Sequence, residues 1–190
     1  MKANNKGFTL MEMIIVMIIL GLLLSTSLVY LNSKSATRKL DDQATIFVNR
    51  LELVRNYATT GQACTECDAV IADNPSLDLE LHGYGLYVDL STTHAFHYLY
   101  ADLDNDYQYT PTGNDVILEE YEMDEQIVIN SCVDSTVFDP SVCDVLFTLY
   151  EGKIYHIGNE GEDEVFNLLN EEGNDRDISV SGLTGKIDIL

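Results

Sequence analysis

Two hydrophobic patterns follow one another in the first third of the chain. Met13 through Leu24 carries no charge, and the wider apolar segment runs from Phe8 to Leu31, 24 residues. At about 1.5 Å per residue such a helix crosses a hydrocarbon core of roughly 30 Å. The pattern then turns amphipathic. Leu40, Ala44, Phe47, Leu51, Val54 and Ala58 step by four, three, four, three and four, which is a helical stripe. Arg38, Asp41, Asp42, Asn49, Arg50 and Arg55 lie off it. No proline interrupts the run, and Gly61 is a natural stop. The spacing predicts one helix from about Phe8 to Thr60, first membrane-spanning and then lying with its stripe under a sheet.

Beyond Gly61 the chain reads as β. Leu77–Leu81 alternates apolar and polar. Gly83–Val88 and Ala95–Tyr100 form a strand pair around Asp89 to His94. Shorter strands are expected at Val116–Leu118, Ile127–Ile129, Val145–Phe147 and Ile154–Tyr155. Ile178–Val180 and Lys186–Ile189 flank a Gly-bearing turn and read as a hairpin. Glu162 to Gly173 is acidic, a short helix or a loop. Strands in succession after one leading helix argue an α+β class with an antiparallel sheet. The expected divisions are 1–7, 8–31 (spanning), 32–61 (amphipathic) and 62–190 (a β-rich head).

Charge sharpens the picture of the head. From Ala58 onward only Lys153, Arg176 and Lys186 are cationic, against 28 acidic residues, so the head carries about −25. Such a surface repels nucleic acid and attracts cations and basic partners. Simple solubility is the plain alternative.

The order of features at the N-terminus differs from a secretory signal peptide, in which cleavage follows the apolar stretch. Lys6-Gly7 precedes it, so a cut there leaves the hydrophobic helix on the mature protein. The leader lysines hold the N-terminus inside, although Lys34, Arg38 and Lys39 beyond the span weaken that charge asymmetry. A carboxylate at Glu12 costs about 2.5–3.5 kcal/mol inside an apolar span. A cut after Gly7 creates an ammonium at Phe8, with which Glu12 of a neighbouring subunit could pair. Alternatively Glu12 sits at the membrane interface, favoured by the helix dipole.

The string KGFTLMEMIIVMIILGLL, Lys6 to Leu23, resembles the leader and anchor of type IV prepilins and type II secretion pseudopilins. That resemblance implies a type IV pilin-like fold, cleavage between Gly7 and Phe8 by a prepilin peptidase, N-methylation of Phe8, and subunit docking guided by Glu12. It implies partners too: other pilin or pseudopilin subunits, an inner-membrane assembly platform and membrane lipid. The location implied is a single pass through the inner membrane, head outside, then a periplasmic or surface filament. Gly21 falls where many pilin helices are weakened. GYGLYVD (83–89), YADLDNDYQY (100–109) and the terminal ISVSGLTGKIDI are similar to H-type minor pseudopilins and their FimT-like relatives. A structural filament subunit is the function implied. A filament-tip binder, adhesin or DNA-uptake receptor, is the alternative, and the acidic head argues against DNA.

Three further constellations bear on chemistry. Asp102, Asp104 and Asp106 alternate as in the start of an EF-hand loop, a spacing that turns carboxylates toward a hard cation. Tyr107 replaces the expected glycine and Gly113 the closing Glu, so this is no EF-hand. A looser calcium site with Gln108 or Asp115 is one reading; an acidic surface turn is the other. Cys64, Cys67, Cys132 and Cys143 all follow the span, where disulfides are permitted. Cys132 with Cys143 is the favoured pair, and a four-cysteine zinc site is the rival. His82, His94, His97 and His156 are scattered. No nucleotide, hydrolase or zinc-protease motif appears, and no cofactor is required, so no enzyme is expected.

Overall fold

The structure, a computed structural model, describes residues 10–90, 96–111, 113–134, 142–150, 153–156, 159–161 and 163–190; for 26–33, 133–134, 142, 156 and 159 it describes backbone alone. It divides into two compact units, 1–38 and 39–190. Helix α1, Leu10–Thr60, is continuous over 51 residues and contributes to both.

In the first unit the stretch of α1 from Leu10 to Leu24 exposes apolar side chains all round, Glu12 excepted. Thirteen large apolar side chains between Leu10 and Leu24 are exposed, and Glu12 lies in the first turn. Among the described residues no helix is long and apolar enough to cross a membrane. The span expected over 8–31 includes residues 8 and 9 and the side chains 26–33, which lie outside that description.

In the second unit the predicted stripe is realised. Leu40, Ala44, Phe47, Leu51, Val54 and Ala58 are all fully buried. The helix ends in a Schellman motif. The N–H of Gln62 donates to the carbonyl of Tyr57 at 3.0 Å, and that of Gly61 to Ala58 at 3.3 Å. This requires a left-handed residue, and Gly61 has φ +61°.

A second helix follows, α2, Thr65–Asp73. The sequence pattern had no helix here, because nine residues are too few to show a stripe. Its start is fixed by Cys64, whose sulfur accepts the N–H of Cys67, with Glu66 and Asp68 in the first turn.

Among the described residues ten strands come next: β1 Gly83–Asp89, β2 Phe96–Asp102, β3 Val116–Glu122, β4 Ile127–Asp134, β5 Val142–Thr148, β6 Ile154–His156, β7 Asn159–Glu160, β8 Glu164–Asn170, β9 Asp175–Val180 and β10 Ile187–Ile189. They form two sheets, ordered β3-β2-β1-β5-β6-β7 and β10-β9-β8-β4. Every pairing is antiparallel. The expected hairpins β1–β2 and β9–β10 are both present. Helix α1 contributes to one core with both sheets. Phe47 lies edge-on to Phe166 of β8 at 5.0 Å and to His97 of β2 at 5.6 Å. Ion pairs at the rim join Arg50 to Glu119 and Asp41 to Arg176.

Two expectations are corrected. Leu77–Leu81 is not a strand; only isolated backbone bonds, such as Glu80 N–H to Leu103, lie beside β2. The stretch expected at 162–173 as a short helix or a loop is, over its described residues 163–173, mainly strand, since it contains β8. Glu164 and Asn170 disguise that strand: both occupy buried positions of its alternating face.

Candidate functional site

Two regions carry chemistry, and each is built from a different property of the chain. The first is the N-terminal helix. Gly7 and Phe8 lie outside the described residues, while Glu12 lies in the first turn of α1 among exposed Leu10, Met11 and Met13. An exposed carboxylate near a helix N-terminus is favoured by the dipole. A large exposed apolar surface marks membrane or protein contact.

The second region is the connection from β2 to β3, described over 103–111 and 113–115, in which Tyr109 is tied down onto Asp144 of the six-stranded sheet. That tie is organised by a crossing of three strands. Gly85 on β1 pairs with Tyr100 on one side and Leu146 on the other. A Cβ at position 85 would press on the Tyr100 ring, so glycine clears the path of that ring across β1. The Tyr100 hydroxyl then donates to Asp144 Oδ1 of β5 at 2.8 Å. Asp144 Oδ2 accepts the backbone N–H of Tyr109 at 2.5 Å, which pins the connection down. The Tyr109 ring lies 4.8 Å from Tyr87 and 5.2 Å from Tyr100. Tyr107 stacks on Tyr155 at 4.1 Å.

Within this frame Asp115 is a structural tie. Its Oδ1 accepts from Leu103 N–H at 3.3 Å, and its Oδ2 from Thr110 N–H at 2.9 Å and the Thr110 hydroxyl at 3.3 Å. Gln108 likewise uses its N–H on Asp106 Oδ1 at 3.0 Å. The three alternating aspartates differ from both. Asp102 is fully buried, Asp104 exposed and Asp106 half-buried. One carboxylate oxygen from each lies within 4.8 Å of the others.

Burial sets the electrostatics here. It raises Asp144 to about 8, opposed by the donated bonds from Tyr109 and Tyr100. It raises Asp102 and Asp115 to about 6 each. For Asp102 the backbone N–H groups of Asn105 and, more weakly, Asp104 oppose that rise, and the neighbouring carboxylates of Asp106 and Asp104 add to it. Asp144 was not singled out from sequence, although a charge inside Val142–Phe147, an otherwise apolar strand, was a visible signal.

The cysteines form two disulfides, Cys64–Cys67 and Cys132–Cys143, with Cα separations of 5.2 and 5.7 Å. Paired sulfurs offer no thiolates, so the four-cysteine zinc reading is not realised. Cys132 and Cys143 do lie beside Glu164, but as a disulfide they do not ligate metal. Of the histidines, His97 is buried in the core and His82 precedes β1, while the His156 side chain and all of His94 lie outside the described residues.

The arrangement defines an apolar helix bearing one early carboxylate, joined in sequence to an α+β head with antiparallel sheets and two disulfides. Residues 2–28 match the prokaryotic N-terminal methylation motif. Neither a curated protein nor a solved structure matches the chain.

Proposed function

We propose that the chain is a structural subunit, a minor pilin or pseudopilin, of a type IV pilus-like or type II secretion filament. The methylation motif over 2–28 carries this reading, supported by the run of exposed apolar side chains from Leu10 to Leu24. A prepilin peptidase cuts between Gly7 and Phe8 and methylates the new amine. The helix anchors the subunit as a single pass through the inner membrane, the head outside. On assembly the apolar surface passes from lipid to neighbouring helices. The Glu12 carboxylate then neutralises the Phe8 ammonium of an adjacent subunit, so that register is set by charge and adhesion by apolar contact. The strings at 83–89, 100–109 and 178–189 favour the H-type minor pseudopilins within this class.

Mass spectrometry of the chain expressed beside an active prepilin peptidase tests this. The expected N-terminus is methylated Phe8. An intact Met1 start under those conditions would sink the proposal.

A further inference from the structure

The β2–β3 connection contains a charge arrangement that its own hydrogen bonds do not complete. Asp102 ends β2 and is fully shut from solvent. Its Oδ1 accepts the N–H of Asn105 at 3.0 Å. Its Oδ2 meets no hydrogen-bond donor, although it too is buried. A buried carboxylate oxygen without a donor is costly, because it has given up water for nothing. Among the described residues no lysine, arginine or histidine forms an ion pair with Asp102, Asp104 or Asp106.

The distances fit a hard cation. Calcium binds oxygens at about 2.3–2.6 Å, so two ligands on opposite sides of it lie roughly 5 Å apart. The three carboxylate oxygens fall inside that limit, all within 4.8 Å of one another. The neighbouring carboxylates are otherwise engaged: Asp115 holds Leu103 and Thr110, and Asp144 holds Tyr100 and Tyr109. These ties and the Tyr107–Tyr155 stack fix the connection from outside and leave the three aspartates facing one another. Magnesium is a poorer fit, since it demands near-ideal octahedral geometry at about 2.0–2.1 Å.

We propose that Asp102, Asp104 and Asp106 bind one calcium ion. The ion supplies the partner that Asp102 Oδ2 lacks and joins the end of β2 to the exposed turn after it. With water completing the shell and three protein carboxylates, the affinity belongs with extracellular modules, a Kd of about 0.1–1 mM. The site does not depend on filament membership; it is a property of the head.

The experiment is calorimetric titration of calcium chloride into the full chain in non-ionic detergent, chelator-treated beforehand, with thermal melts in parallel. One saturable site and a rising Tm are expected. Asp104→Asn, at an exposed position that leaves the fold intact, should weaken binding at least about tenfold. Glu171→Gln, in the exposed β8–β9 turn, should leave it unchanged. Asp102→Asn should abolish the calcium-dependent rise in Tm while melting no lower than the wild type in chelator. The proposal is overturned by no saturable binding up to 10 mM (~10 times the weakest Kd expected), or by equal loss in the Asp104 and Glu171 variants, which would indicate diffuse screening by the acidic surface. Magnesium binding of equal affinity overturns the assignment to calcium.

Discussion

His97 should make the head sensitive to acid, through burial of a ring whose charged form has nowhere to go. The side chain is 2% exposed. It stacks on Tyr121 at 5.2 Å and meets the edge of Phe47 at 5.6 Å. Neither ring nitrogen has a hydrogen-bond partner. The Arg50 guanidinium lies 3.4 Å over the Tyr121 ring. Burial first and the Arg50 charge second lower His97 from 6.5 to about 4.

The sign follows from linkage. The folded pKa lies below the unfolded one, so between pH 6.5 and 4 the unfolded chain binds a proton that the folded chain refuses. Stability is therefore lost as pH falls through that window. A shift of this size corresponds to about 3 kcal/mol at its full extent. His97→Phe keeps an aromatic ring against Tyr121 and removes the titration. Urea unfolding of both proteins, in detergent and with EDTA present so that metal release does not contribute, should be followed by near-UV circular dichroism from pH 7.5 to 4.5. Carboxylates titrate in both proteins alike. The stability difference should move in favour of the variant by about 2–3 kcal/mol across the window. A difference constant to within ~0.5 kcal/mol would refute the reasoning, since a stacking or volume effect has no such pH dependence.

Two other substitutions probe separate parts of the chain. Gly85→Ala places a methyl against the Tyr100 ring and should cost about 1–3 kcal/mol in a urea melt, with loss of the Tyr100 contribution to the near-UV signal. Glu12→Gln should leave membrane insertion and cleavage unchanged but lower recovery in sheared filaments at least about tenfold, because stranding a buried partner charge costs ~3–5 kcal/mol; unchanged recovery would remove the pairing argument.

What could be read from sequence divides by the range of the interaction. The stripe from Leu40 to Ala58 was legible because helical period alone selects its six residues, and all six are fully buried. The β1–β2 and β9–β10 pairs were legible because their partners are neighbours in sequence. Helix α2 was not, because it is set by a sulfur at its N-cap rather than by periodicity. Strand β8 was not, because its inward positions begin and end on Glu164 and Asn170. The pattern Asp102, Asp104, Asp106 was visible, but the burial of Asp102 was not. That burial comes from β2 pairing with β1, where Asp102 stands opposite Gly83.

The same distinction explains why the acidic connection holds a shape at all. Alternating aspartates in an isolated peptide repel and splay, so spacing alone does not make a site. Here the restraint comes from outside the connection: Gly85 clears the way for Tyr100, Tyr100 holds Asp144, and Asp144 holds Tyr109. Asp144 accepts both bonds from within the sheet, while Asp115 closes the far side on Leu103 and Thr110. The ligand carboxylates are thereby placed by groups that are not themselves ligands. A change at Gly85, with no contact to the three aspartates, should therefore weaken calcium binding along with stability, whereas a change at Asp104 should weaken binding alone.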